Sequence, residues 1–124
     1  MQKQVLLVVE ENVKSHYKLA LESVLGNGYA VVTINPYAAK AHGVIDKASK
    51  ADIVVITALT FDENLTEPIT EAVLETGKDV YISSAKEHLR ADLIDRQNLH
   101  STPEYLPHSL ARFVAQGLGV QMQR

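Results

Sequence analysis

Five apolar residues in a row, Val5-Leu6-Leu7-Val8-Val9, end on Glu10-Glu11-Asn12. No other stretch limits the fold of this chain so sharply. A strand with one wet face shows a polar residue at every second position. An unbroken apolar run of strand length therefore belongs on a strand covered from both sides. The same character returns at Tyr29–Ile34, Ile53–Ala58 and Val80–Ser83, and more weakly at Asn98–Ser101. Between these runs the period changes to that of a helix with one apolar stripe. Val13, Tyr17, Ala20, Leu21, Val24 and Leu25 form the first stripe, and Ala38, Ala41, Val44, Ile45 and Ala48 the second. Ile69, Ala72 and Val73 follow, then Leu89, Leu93 and Ile94, and finally Leu110, Phe113, Val114 and Leu118.

Punctuation falls between the two periods. Asn12 is of the type that caps a helix by accepting from its first free N–H groups. Gly26-Asn27-Gly28 stops that helix, since these residues tolerate a left-handed end. Asn35-Pro36 sets a cap and a first helical position, and Gly43 weakens the helix that follows. Thr66 is expected to cap the third helix with Pro68 in its first turn, and Gly77 to close it. Ser84-Ala85-Lys86-Glu87 fits a reciprocal capping box. Thr102-Pro103 opens the last helical region, Pro107 confines its regular part to the residues beyond, and Gly117 and Gly119 end it.

The reading is thus βαβαβαβαβα with short connections, in one domain over residues 1–124. Strands apolar throughout and separated by helices predict an α/β fold with a parallel sheet covered on both sides. Right-handed crossovers make it a doubly wound, five-stranded, flavodoxin-like sheet of order 2-1-3-4-5. A hydrophobic fraction of 46% in 124 residues suffices for one core. A net charge of −3 leaves no basic footprint for nucleic acid or an anionic membrane. There is no cysteine, which excludes disulfides and thiolate chemistry. No apolar run approaches the roughly 18 residues of a membrane span, and no secretory leader is visible. A cytoplasmic domain is the expectation.

In such sheets ligands bind beyond the carboxyl ends of the strands, close to where the strand order reverses. That rule gathers Glu10, Glu11 and Asn12 with Thr57 and Thr60, Ser83 and Ser84, and His100, Ser101 and Thr102. Glu10, Glu11, Thr57, Ser84 and Thr102 are the candidate ligand-binding residues. Glu10 and Glu11 are the candidate ligands of a hard cation such as Mg²⁺, which takes oxygen donors. Each also has a purely structural use: acids favour a helix N-terminus, threonines suit strands, and Ser84 suits a cap. No catalytic residue is assigned. Neither GxGxxG nor GxxxxGK[ST] follows a strand, and there is no GxSxG elbow. Two carboxylates in the first turn would repel a phosphate that arrives without a cation. A triad of Ser83 or Ser84 with His100 and Glu10 has no supporting spacing. The histidines His16, His42, His88, His100 and His108 show no HxxxH or HExxH pattern.

These residues bring a resemblance into view. From Val5 to Leu118 the chain resembles a response-regulator receiver domain. Glu10-Glu11 sits where receivers place the carboxylates that hold Mg²⁺. The stretch "LESVLGNGYAVVT", Leu21 to Thr33, resembles the receiver passage from the first helix into the second strand. Asp52-Ile53-Val54-Val55-Ile56 resembles the run before the phosphoacceptor, and Ser84-Ala85 the Thr/Ser-Ala after the fourth strand. Three positions depart from the pattern. Thr57 stands at the phosphoacceptor Asp, Thr102 at the Lys and Leu99 at the aromatic switch. A hydroxyl without an activating base is a poor nucleophile at neutral pH.

The resemblance therefore implies a pseudo-receiver: not an enzyme, but a protein-binding signalling module that takes no phosphoryl group. By the same resemblance the last two helices and strand five would be its docking surface, with Tyr105, Leu106 and His108 as candidates. A second expectation is a flavodoxin-like domain binding a small ligand or cation. A third is a scaffold without ligand, an engineered one included. A shorter resemblance, from His16 to Ala41, is to the RuvC-like nuclease region of insertion-sequence transposases, with Lys50-Ala51-Asp52 similar to their Lys-Thr-Asp. Val55 replaces the next acid, which leaves too few carboxylates for a two-metal site.

Overall fold

The computed structural model describes residues 2–58, 63–85 and 89–120. Strands and helices alternate along the chain. They are β1 (Lys3–Val8), α1 (Lys14–Leu25), β2 (Tyr29–Ile34), α2 (Pro36–Ala48), β3 (Ile53–Ile56), α3 (Glu63–Leu74), β4 (Asp79–Ser83), α4 (Ala91–Ile94), β5 (Leu99–Thr102) and α5 (Pro107–Leu118). The five strands form one sheet in the order 2-1-3-4-5, and every pairing is parallel. This is the α/β, flavodoxin-like arrangement expected from the alternation of periods. The unbroken apolar runs are explained by it, because β1 and β3 lie inside the sheet with both faces covered.

Two cores result, one on each face. Val5, Leu7, Val9, Val31, Ile53, Val55 and Tyr81 meet Tyr17, Leu21 and Leu25 of α1 and Leu110, Val114 and Ala115 of α5. Leu6, Val8, Val54, Ile56, Val80 and Ile82 meet Val44 and Ala48 of α2, Ile69, Val73 and Leu74 of α3, and Leu93 of α4. Successive residues of a strand point to opposite faces, so each central strand feeds both cores.

Several local expectations change. The cap of the first helical segment is Glu10 rather than Asn12. Its carboxylate accepts from the Asn12 N–H, and a 3₁₀ turn over Glu11–Val13 leads into α1. α3 begins at Glu63, so Thr66 and Pro68 lie within it. Thr66 is buried there, and the Thr70 hydroxyl donates to its carbonyl. The expected Ser84-Ala85-Lys86-Glu87 capping box lies partly outside the described residues, and α4 is a single turn that begins at Ala91 behind Arg90. Gly117 remains inside α5, and only Gly119, at φ 74°, ends it. The Asn35-Pro36 start holds, with the Asn35 side chain accepting from the Tyr37 N–H. α2 is broken at Lys40, whose φ of 57° and ψ of −174° are not helical.

Candidate functional site

The ladder carries the strand ends to one rim. Beyond the last regular pairs, Val9 N–H donates to the Ile34 carbonyl and Thr57 N–H to the Val8 carbonyl, both at 3.1 Å. Val8, Ile56 and Ile82 are level across β1, β3 and β4, and Ser83 is level with Thr102. Thr57, Ser83 and Thr102 thus form one row, on the face covered by α1 and α5. Neighbouring strands lie about 4.8 Å apart, so Thr57 and Thr102 stand roughly 10 Å apart and the acids after β1 about 14 Å from Thr102. The predicted residues share a rim.

Local bonding on that rim is largely internal. Thr57 is fully buried, and its hydroxyl donates to the Val8 carbonyl at 3.0 Å. The Ser83 hydroxyl reaches the Ile56 carbonyl at 3.5 Å. Ser84, also buried, donates to the carbonyl of Ala85 at 3.3 Å. Thr102 accepts from the Glu104 N–H at 3.2 Å and so shapes the exit from β5. The Glu10 carboxylate accepts from the Asn12 N–H, and exposed Glu11 pairs with Lys14 at 2.8 Å. Among the described residues no group of three or more His, Asp or Glu side chains is placed to hold a metal ion. Thr60 and His88 lie outside the described residues.

His100 is corrected. Strand five was expected to carry it to the ligand rim, but β5 starts and ends one residue later, at Leu99 and Thr102. His100 is level with Tyr81, stacks on its ring with centroids 4.6 Å apart, and reaches Asp79 at 3.3 Å. Asp79 is the first residue of β4, so the imidazole leans away from Ser83 and Ser84. A Ser-His-Glu triad is ruled out by that placement. Asp52 likewise belongs to the opposite end of the sheet. Its carboxylate accepts from the Gln4 N–H at 2.7 Å, and its own N–H donates to the Gln4 carbonyl at 2.9 Å.

Two surface features were not read from the sequence as units. The first is a groove of about 510 Å³ between α1 and the start of α5, lined by His16, Leu19, Ala20, Ser23, Leu106, Pro107 and His108. Leu19 is 65% exposed and Leu106 is 55% exposed. Leu106 and His108 were docking candidates, whereas His16, Leu19 and Ser23 were not. A signal existed, because Leu19 stands off the stripe of Tyr17, Ala20 and Leu21 that packs on the sheet. The Tyr17 hydroxyl of α1 donates to the Tyr105 carbonyl just ahead of α5 and ties the two elements together. Burial, and secondarily the nearby Tyr105, push the Tyr17 phenol above its ordinary pKa.

The second is a polar cleft of about 290 Å³ lined by Asn64, Glu67, Pro68, Glu71 and Arg90. Arg90 pairs with Glu67 at 3.2 Å, Glu71 at 3.0 Å and Asp92 at 2.9 Å. The hydrogen-bonded Arg90 guanidinium holds the Asp92 carboxyl below its usual range. These groups are exposed, and such pairs contribute little to stability.

Comparison with family models, curated proteins and solved structures gives no match for this chain. The site is therefore read from its own geometry. Among the described residues no helix is long and apolar enough to cross a membrane.

Proposed function

We propose that this chain is a protein-interaction module, a pseudo-receiver that takes no phosphoryl group and docks a protein partner in the groove between α1 and α5. The observation that carries the reading is the pair of exposed leucines, Leu19 and Leu106, that line one groove together with the histidines His16 and His108. Covering two half-exposed leucines contributes on the order of 2 kcal/mol, or roughly thirtyfold in affinity. The partner's remaining affinity would come from the polar margin, where the two imidazoles and Ser23 offer hydrogen bonds. The surface overlaps the one implied by the receiver resemblance at the start of α5, with α1 in place of the one-turn α4.

The rim supports the absence of phosphotransfer in this reading. The hydroxyl at the phosphoacceptor position is buried and donates to a backbone carbonyl, so it would have to break that bond before attacking anything. The module would work in the cytoplasm as part of a signalling assembly. Affinity capture from the source cells tests the docking surface. A protein retained by the unaltered chain and lost by Leu19→Glu/Leu106→Glu, with the circular dichroism spectrum intact, is the expected result. Equal capture by both forms refutes the groove. Incubation with acetyl phosphate and Mg²⁺ is expected to leave the mass unchanged, and a stable phosphoryl adduct would overturn the pseudo-receiver reading.

A further inference from the structure

We propose that the free edge of β2 is a self-association surface, on which a second copy of this chain adds its own β2 antiparallel to form one continuous sheet. This surface is separate from the α1–α5 groove, and the inference does not depend on the docking reading.

The direction of the backbone groups follows from one bond. The Ile34 carbonyl accepts from the Val9 N–H, so Ile34 turns its polar backbone groups toward β1. Both groups of a strand residue point to the same side, and the side alternates along the strand. Ala30, Val32 and Ile34 therefore serve the β1 ladder, while Tyr29, Val31 and Thr33 direct their N–H and C=O groups outward. β2 is at the end of the sheet; the Tyr29 N–H is taken by the Gly26 carbonyl of the preceding turn, and among the described residues no backbone bond joins the other outward groups to another segment.

Open edges are normally blunted by charge, proline, a bulge or shortness. The two edges of this sheet differ in that respect. β5 has four residues, pairs His100 with Asp79, and runs directly into Pro103. β2 has six, YAVVTI, and none of these devices. From Ser23 through Ala39 the chain has no Asp, Glu, Lys, Arg or His, the longest such stretch it contains. An approaching strand would meet no like charge and no buried charge.

The occupant follows from symmetry. The outward groups are centred on Val31, with Tyr29 and Thr33 equally spaced about it. A twofold axis at Val31 sets Val31 opposite the partner's Val31, and each Tyr29 opposite the partner's Thr33. The Val31 N–H then meets the Val31 carbonyl of the second copy and the Thr33 N–H its Tyr29 carbonyl, reciprocally, as an isologous interface requires. Each Tyr37, which is 49% exposed, stands just beyond the end of β2 and flanks the paired strands. A strand pair with such flanks falls short of the roughly 1,200 Å² of a standard stable interface. The dimer is accordingly weak, with a Kd between about 1 μM and 1 mM.

Sedimentation of the full chain across that concentration range tests the proposal, with Thr33→Pro as the variant. Proline at 33 removes an outward donor and leaves the ladder to β1 intact, as edge strands permit. The expected result is a concentration-dependent dimer that Thr33→Pro weakens at least tenfold, while Ser101→Pro on the outward side of β5 does not. The register is read separately, by oxidising a mixture of Ala30→Cys and Val32→Cys chains, which is unambiguous in a cysteine-free protein. Residue 30 should lie opposite the partner's residue 32, so mixed dimers should link and either chain alone should not. Should Thr33→Pro fail to fold, this linkage decides the matter. A monomer up to about 1 mM, or a dimer that neither links in this register nor responds to Thr33→Pro, would sink the idea. A dimer disrupted only by Leu19→Glu/Leu106→Glu would place the association at the groove instead.

Discussion

The two faces of the sheet are covered by helices of very different quality. On one, α1 and α5 are full-length helices that pack against each other and the sheet. The Tyr17 hydroxyl ties α1 to the Tyr105 carbonyl ahead of α5, and Tyr81 lies beneath Gly117 so closely that a Cβ there would come within 2.5 Å of its ring. On the other, α2 is broken at Lys40 and α4 is one turn long. Both cores are fully buried, so hydrophobic content alone does not separate them. The difference lies in how rigidly the covering backbone is held. A rigid lid cannot follow a shrinking side chain, whereas a broken one can.

Truncating one buried leucine on each face should break or sharpen this contrast most. Leu21→Ala, under α1, is expected to cost about 4 kcal/mol, and Leu93→Ala, under the single turn of α4, nearer 2 kcal/mol, because a site that collapses leaves a smaller cavity. Urea midpoints at constant slope measure both, and equal losses would mean that the two lids are equally stiff. Gly117→Ala comes next. With Tyr81 wedged between β4 and Phe113, the added methyl must push the ring or the helix, at about 1–3 kcal/mol.

Smaller still is Tyr17→Phe, which deletes the bond to Tyr105 and should cost about 1 kcal/mol near neutral pH. The Tyr17 phenol titrates higher folded than unfolded. Its contribution is complete below the unfolded value near 10 and is lost as pH climbs through the folded value. Above pH 10 the unaltered chain should lose stability faster than the Phe variant, and a parallel decline would remove Tyr17 from the account. On the looser face, Lys40→Gly should stabilise by roughly 1 kcal/mol, since glycine occupies a positive φ without strain. A destabilising effect in thermal melts would show that the Lys40 backbone is held by its surroundings rather than strained.

The same contrast marks what could be read from the sequence. β1, β2, β3 and β4 were legible because continuous apolar runs between helical stripes have one parallel solution, and the strand order followed from handedness. The ends of α1 and α5 were legible from Gly26, Pro107 and Gly119. On the looser face the turn of α4, which starts at Ala91 with no side-chain cap, carries no start signal in the sequence, and the Ser84 capping box falls partly outside the described residues. Thr66 and Pro68 misled because helix-start residues also occur inside helices when tertiary burial covers them. At the candidate site, topology placed Thr57, Ser84 and Thr102 at the rim, but not their bonds. No spacing reveals that a threonine hydroxyl will turn sideways to a neighbouring strand's carbonyl. His100 was misplaced because a strand end shifted by one residue changes which neighbour its side chain meets. Leu19 was legible in principle, as an apolar residue off the packed stripe.

The bond from Thr57 to Val8 also bears on the protein's evolutionary options. An aspartate in the same rotamer would set lone pairs against the lone pairs of a carbonyl, where the threonine now donates. An acid at this position would cost stability at the centre of the sheet. Accommodating one would need a coordinated change in β1, so the choice of residue at 57 is tied to the backbone of a neighbouring strand while the outer surface is free to vary.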